Sequence, residues 1–157
     1  MLDSNTYRHL LGRFASGIAI ITARDGERDV GMTVSAFCSV SLSPPLVLVC
    51  VDHSASMHGL MLRHPKLGIS IIASEHEAHS RRFADKGDAD RFDGVPFTRG
   101  ENDVLLLDDA AAHLECQLVR HYEAGDHTIF IAEVERGTMG EARPLLHYRG
   151  RYAQLVS

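Results

Sequence analysis

The feature that most constrains the fold is Leu46-Val47-Leu48-Val49-Cys50-Val51, an uninterrupted apolar run placed directly after Ser43-Pro44-Pro45. Proline donates no ladder hydrogen bond and marks a corner or a sheet edge. The run behind it reads as a strand covered on both faces, and such a strand needs a sheet around it.

The other segments supply that sheet. Ile18-Ala19-Ile20-Ile21-Thr22 is rich in β-branched residues, and Arg24-Asp25-Gly26-Glu27 suits a tight hairpin turn before a returning strand from Val30. Further strands are expected over Leu67 to Ala73, around Leu114 to Val119 and over Thr128 to Val134, the last two joined by a Gly125-Asp126 turn. A final segment, Leu145 to Leu155, is expected to close the sheet. Helical signals are few. Tyr7, Leu10, Leu11 and Phe14 share one helical face behind an Asp3 or Ser4 cap, with Gly17 as the stop. Ser54 to Arg63 reads as a short helix ended by His64-Pro65. Glu75 to Ala84 has helix-forming composition, and Asp85 to Asp103 reads as a long surface loop. About six or seven strands without regular strand–helix alternation point to a mainly β, antiparallel barrel.

A chain of 157 residues is long enough to bury a core as one domain. Its net charge of −5 argues against a sequence-independent nucleic-acid binder. No stretch approaches the about 20 apolar residues of a membrane span, and the first residues lack a signal-peptide pattern, so a cytoplasmic location is expected. Cys38, Cys50 and Cys116 read as strand thiols. His76 with His79 and His53 with His58 are the nearest approaches to metal-ligand spacing, and no metal site is expected.

The chain has no G-x-G-x-x-G, no P-loop and no G-x-S-x-G, so a nucleotide must be held in another way and hydrolytic covalent chemistry has little support. Three stretches remain. Hydroxyls at Thr33, Ser35, Ser39, Ser41 and Ser43 recur mostly every second residue, so a strand presents several on one face, either to a flat heterocycle or to water. Asp52-His53-Ser54-Ala55-Ser56-Met57 joins an apolar strand to a helix, where unpaired amides and the helix dipole attract phosphate, or where a serine simply caps the helix. Gly125-Asp126-His127 places an imidazole at a hairpin, although the turn alone explains Gly and Asp.

Together these stretches resemble the short-chain flavin reductase family, whose members share the FMN-binding split barrel and serve flavin-dependent monooxygenases. The resemblance runs from Tyr7 to Leu155. It is most specific in Thr33-Val34-Ser35-Ala36-Phe37-Cys38-Ser39-Val40-Ser41 with Pro44-Pro45-Leu46. Supporting blocks are Arg82 to Asp85, Asp90-Arg91-Phe92, Leu114-Glu115-Cys116, Gly125 to Thr128 and Pro144 to Gly150, in the family's order.

The resemblance implies an antiparallel split barrel of Greek-key type with a few short flanking helices, one domain over residues 1–157, and a homodimer with flavin near the subunit interface. It implies transfer of a hydride from NADH or NADPH to FMN or FAD, chemistry that belongs to the cofactors, and a transient monooxygenase partner. By the same resemblance Thr33, Val34, Ser35, Ala36, Ser39 and Val40 lie along the isoalloxazine. Asp52, His53, Ser54, Ala55, Ser56 and Met57 take the ribityl phosphate, and Phe83 packs the flavin from a helix. His147, Tyr148, Arg149 and Gly150 lie toward the nicotinamide, as does His127, the catalytic candidate, in a positioning and polarising role. Two positions depart from the family pattern: Ser70 stands where asparagine is expected, and Asp52-His53 replaces an asparagine-lysine type start, which removes a cation from the phosphate segment. A split-barrel flavin or haem carrier or sensor is the rival reading; it has no need of His127 or of residues 147–150.

Overall fold

The computed structural model describes residues 1–87 and 90–156. Helix α1 (Ser4–Leu11) leads into strands β1 (Ser16–Gly17), β2 (Ala19–Asp25), β3 (Arg28–Val34), β4 (Phe37–Leu42) and β5 (Pro45–Asp52). Helix α2 (Ser56–Arg63), strand β6 (Lys66–Ile71) and helix α3 (Glu77–Ala84) follow, α3 entered through a 3₁₀ turn at Ser74–His76. The chain ends with β7 (Phe97–Arg99), β8 (Leu105–Leu107), β9 (Ala112–Ala124), β10 (His127–Met139), β11 (Leu145–Tyr148) and β12 (Arg151–Gln154).

Seven strands form one antiparallel sheet in the order β3-β2-β6-β9-β10-β5-β4. Its two edge strands, β3 and β4, are consecutive in the chain, joined only by Ser35 and Ala36. Laid flat, seven strands at about 4.8 Å spacing put the edges about 29 Å apart. Three Cα steps of about 3.8 Å allow Val34 and Phe37 no more than about 11 Å. The sheet therefore curls on itself, and the edges meet at a seam without pairing, which is a split rather than a closed barrel. At the seam the Cys50 amide donates to the carbonyl of Ala36 at 3.0 Å.

The interior is filled by the inner faces of these strands. Along β5, Val47, Val49 and Val51 are buried, packed with Ile21, Ile69, Cys116 and Phe130. Leu46, Leu48 and Cys50 on the other face are only half-buried, so the expected two-sided cover is one-sided within a single chain. The Asp25-Gly26 signal makes the β2–β3 turn, with Gly26 at φ +62°. The final segment does not close the main sheet. β11 and β12 form a hairpin that pairs with β1 in a separate three-stranded sheet, because Leu145 follows β6's exit, its amide bonding to the carbonyl of Ile72 at 2.9 Å.

Helix α1 is capped by Asp3, whose Oδ1 accepts from the Thr6 amide at 3.0 Å, and stops at Gly12 rather than Gly17. Its apolar face buries nothing: Tyr7, Leu10 and Leu11 are exposed, as is Phe14 beyond its end. The segment 85–103 is more ordered than a loop, with residues 88 and 89 of it outside the described residues. Phe92 and Phe97 pack against Phe83 with ring centroids 5.0 and 5.5 Å away, and β7 pairs with β8. A Cβ on Gly31 of β3 would lie 3.0 Å from the rings of both Phe83 and Phe92, so a side chain here would press on this aromatic cluster where it crosses the strand. Ser70, the first departure noted, is a structural bond: its Oγ accepts from the Leu107 amide at 2.9 Å and ties β8 to β6.

Candidate functional site

Beside the seam, β3, the start of α2 and the end of α3 enclose a pocket of about 380 Å³. Thr33 enters it from β3, Ser54, Ala55 and Ser56 from the loop before α2, Phe83 and Ala84 from α3, and Lys86 and Arg91 from the loop after α3. Thr33 Oγ1 donates to the Ser80 carbonyl at 2.7 Å and anchors α3 to β3. The amide and hydroxyl of Ser54 both donate to Asp52 Oδ1, at 2.7 and 2.8 Å. Those bonds hold the Asp52 carboxyl below the ordinary carboxylate range, with His127 and Lys86 adding smaller pulls in the same direction. Helix α2 has Ala55 at its N-cap and no side-chain cap, and the His58 amide bonds back to the Ala55 carbonyl at 3.0 Å, so the amides that precede it at the helix start, beside the pocket-lining Ser56, are left for a ligand.

The cation missing from residues 52–53 is supplied from elsewhere. Arg91 is held by carbonyls, donating to Gly31 O at 2.7 Å and to Asp85 O at 2.7 Å, which orients the guanidinium with no carboxylate partner among the described residues. Lys86 stands close enough to lower the Asp52 carboxyl. Helix amides, the Ser56 hydroxyl, a lysine and an arginine form a donor set for a phosphate, and the adjoining wall of Met32 and Phe83 is apolar. The residues present fit the phosphate end of a flavin mononucleotide.

The histidine turn adjoins this loop. Gly125 (φ +65°) and Asp126 make the β9–β10 turn, and His127 pairs with Asp52 in the β10–β5 ladder. The His53 amide donates to the Asp126 carbonyl at 3.0 Å, so two stretches that the sequence separates form one rim. His127 Nδ1 lies 2.7 Å from Asp126 Oδ1. That contact assigns the proton to Nδ1, leaves Nε2 without a hydrogen-bond partner among the described residues, and holds the Asp126 carboxyl below its usual range. Behind the rim, Thr128 Oγ1 donates to Glu123 at 2.9 Å and accepts from His58 Nε2 at 2.7 Å, while His53 Nε2 pairs with Glu123 at 2.8 Å. The Thr128 bond, then His53, keeps the Glu123 carboxyl low. The nitrogens of His53 and His58 lie within 4.8 Å of a Glu123 oxygen, and the three are engaged by one another or by Thr128.

The C-terminal hairpin lies across α3. Arg149 and Gly150 form its two-residue turn with φ of +53° and +76°, the signature of a type I′ hairpin. His147, Gly150, Arg151 and Tyr152 line a second pocket of about 410 Å³ with Glu77 and Arg81 of α3. Tyr152 is fixed by its hydroxyl, 2.8 Å from Ser80 Oγ, and by the Arg81 guanidinium, 4.7 Å from its ring centre.

The structure thus gathers Thr33, Ser54, Ala55, Ser56 and Phe83 into one pocket. Val34 and Met57 are buried in the core and support that pocket from behind. Ser35 and Ala36 are exposed at the seam, and Ser39 and Val40 lie on β4 beyond it. The expected one-faced row of hydroxyls is therefore not formed: the seam interrupts it after Val34, and a bulge between Ser39 and Ser41 breaks the alternation. Asp52, His53 and His127 belong to the rim and line neither pocket, and Tyr148 and Arg149 face a separate cleft beside α1. Lys86 and Arg91 were missed as site residues, although Arg91 sits in a block that matched the family.

A curled antiparallel sheet with a phosphate-type donor pocket beside its seam defines a nucleotide-binding β protein. The chain belongs to the flavin reductase family: the flavin reductase like domain matches residues 11–156. It is 41% identical to an NADH-dependent FAD reductase of Streptomyces globisporus, over 98% of this chain and 87% of that protein. It is 35% identical to the reductase component of a 4-nitrophenol 4-monooxygenase/4-nitrocatechol 2-monooxygenase of Rhodococcus opacus, over 99% and 83%. The solved NADH:FAD oxidoreductase of Streptomyces globisporus, in complex with NAD and FAD fragments, superposes with a TM-score of 0.94 at 39% identity, covering 98% of this chain and 93% of that one.

Proposed function

We propose that this protein is an NADH-dependent flavin reductase, the reductase component of a two-component monooxygenase system. The observation that carries the reading is the pocket where Thr33 and Phe83 stand beside Ser56, Lys86 and Arg91, an apolar wall next to a cationic phosphate clamp. Relatives named as NADH-dependent flavin reductases and as a monooxygenase reductase component support the activity and the partner class. With both nucleotides bound, the pair would supply the chemistry, hydride transfer from nicotinamide to flavin. The chain's own contribution is to hold and orient. Lys86, Arg91 and the first amides of α2 grip the phosphate. Met32 supplies the apolar wall, with the buried Phe83 behind it, and the exposed amides of Ser35 and Ala36 at the seam donate to the flavin edge. His127, locked through Nδ1 by Asp126, offers Nε2 to the nicotinamide side as a positioning group.

The dimer belongs to the same proposal. Leu46, Leu48, Cys50, Ile129 and Ile131 form a half-covered apolar outer face across β5 and β10, and the apolar face of α1 is bare. A second copy covering these faces gives them the burial that one chain does not. Three free thiols, Cys38 among them exposed, suit the reducing cytoplasm.

The test is oxidation of NADH and NADPH by the purified protein with FMN, with FAD and without flavin. NADH oxidation that requires added or bound flavin is the expected result, and a yellow protein without turnover would overturn the reading in favour of a carrier. His127→Ala is expected to lower NADH-dependent turnover about tenfold or more while sparing flavin affinity; unchanged kinetics would remove His127 from the site.

A further inference from the structure

Behind the rim, side chains of three separate elements converge. His53 comes from the loop after β5, His58 from the first turn of α2 and Glu123 from the end of β9. Their ligand atoms lie within 4.8 Å of one another, and His53 Nε2 and Glu123 Oε2 are already 2.8 Å apart. None of the three lines the flavin pocket or the pocket beside the C-terminal hairpin. The spacing of the two histidines by itself predicts no metal site. The carboxylate that completes the set arrives through the β9–β10 ladder, which places Glu123 opposite Thr128.

The set is held from outside. Thr128 is fully buried, and its Oγ1 donates to one Glu123 oxygen at 2.9 Å, leaving the other oxygen toward His53. An outer bond of this kind orients a ligating carboxylate. The same bond, before any other cause, holds the Glu123 carboxyl below its ordinary range, so it is ionised at neutral pH. The His58 ring packs edge to face against Phe130 and His53, with ring centroids 5.9 and 5.0 Å away. The Nδ1 atoms of His53 and His58 have no hydrogen-bond partner among the described residues. Each can carry the proton that Nε2 gives up when its lone pair turns to an ion.

Two imidazoles and one carboxylate are the donor set of zinc sites that keep a fourth position for water. A four-coordinate ion with bonds of about 2.0–2.2 Å holds its ligand atoms about 3.3–3.5 Å apart. Side-chain shifts on the order of 1 Å therefore close this set around it. Calcium and magnesium prefer six or more oxygen ligands and do not match the two nitrogens. His53 and Glu123 are exposed and His58 is half-buried, so the fourth position is open to solvent.

We propose that His53, His58 and Glu123 bind a divalent cation of the zinc class, with water in the fourth position. An ion there clips the loop that carries Ser54 and Ser56 to α2 and to the β9–β10 hairpin. The site stands independently of the reductase reading.

The probes are Zn²⁺ and Co²⁺, added to untagged protein freed of metal on a chelating resin. Calorimetry is expected to show a single equivalent of Zn²⁺ bound, and Co²⁺ to give the visible absorption of a four-coordinate site, bleached by zinc. His58→Gln and Glu123→Gln are each expected to weaken Zn²⁺ about a hundredfold or more, since an outer partner alone is worth about 10–100-fold. Glu123 is exposed, so its variant keeps the test open if His58→Gln fails to fold. His79→Gln alters the other close histidine pair, His76 and His79 with ring centroids 4.9 Å apart, and is expected to bind as the wild type does. No Zn²⁺ binding by the wild type, equal binding by the wild type and Glu123→Gln, or loss of binding in His79→Gln overturns the proposal.

Discussion

The body of β5, Pro45 to Val51, and the rim that continues it, Asp52 to Met57, are neighbours in the chain specified in opposite ways. The body contains its own instructions: alternate valines fill the interior, and leucines and a cysteine take the outer face. The rim borrows what it needs. Its phosphate-type cations come from Lys86 and Arg91, and its histidine from the β9–β10 turn. Packing is written locally, while a polar site is assembled from segments that only the fold brings together.

The largest effect is expected inside the body. Phe130, 1% exposed, stands opposite Val49 in the β10–β5 ladder. Phe130→Ala is expected to cost about 3–5 kcal/mol in denaturant unfolding. A loss below about 1 kcal/mol would mean that the inner face does not set the stability of the sheet. The outer face is the next point of attack. Leu48→Glu leaves that inner packing intact and places a charge at the centre of the proposed dimer face. Sedimentation is expected to show a folded monomer, with dimer dissociation weakened about a hundredfold, or about 2.8 kcal/mol. A wild type that is already monomeric would show that the apolar outer face serves another purpose.

This contrast also explains what could be read from the sequence. The strands over 18–25, 30–34, 46–51, 67–71 and 128–134, both tight turns and the two later helices follow from apolar period and turn chemistry, which act over a few residues. The family motifs marked Thr33, Ser54, Ala55, Ser56 and Phe83, and the structure joins them. A barrel was expected from the number of strands, but where it splits was not legible in the same way, because that depends on β3 and β4 being opposite edges, a fact of pairing order. For that reason the hydroxyl row looked continuous and the C-terminal hairpin looked like a closing strand. Lys86 gave no signal in an Asp- and Gly-rich stretch, since nothing local distinguishes a solvated lysine from one aimed at an anion.

The borrowed cation can be tested against that account. Lys86→Ala is expected to weaken FMN about tenfold, or about 1.4 kcal/mol, and to leave riboflavin affinity unchanged, because riboflavin has no phosphate. Calorimetric titration with both ligands measures the difference. Equal loss for the two would place Lys86 in shaping the loop instead of contacting the anion.

The smallest effect separates rim from body by pH. The carboxyls of Asp126 and Asp52 are held below their ordinary value of 3.8, the first chiefly by its bond to His127 and the second by its bonds to Ser54. A depressed folded-state pKa contributes stability that is complete above the unfolded value and is lost as pH falls through the folded one. The rim is therefore expected to loosen below pH 3.8. Among residues 45–51 no group titrates in that range, since the only ionisable side chain is Cys50, whose pKa burial raises. Hydrogen exchange reads the two regions in one experiment. The His53 amide, bonded to the Asp126 carbonyl, is expected to lose protection in acid before the amides of the β5–β10 ladder do, and Asp126→Asn is expected to remove much of that difference. Simultaneous loss across both would show that the rim is no more independent of the body in energy than it is in sequence.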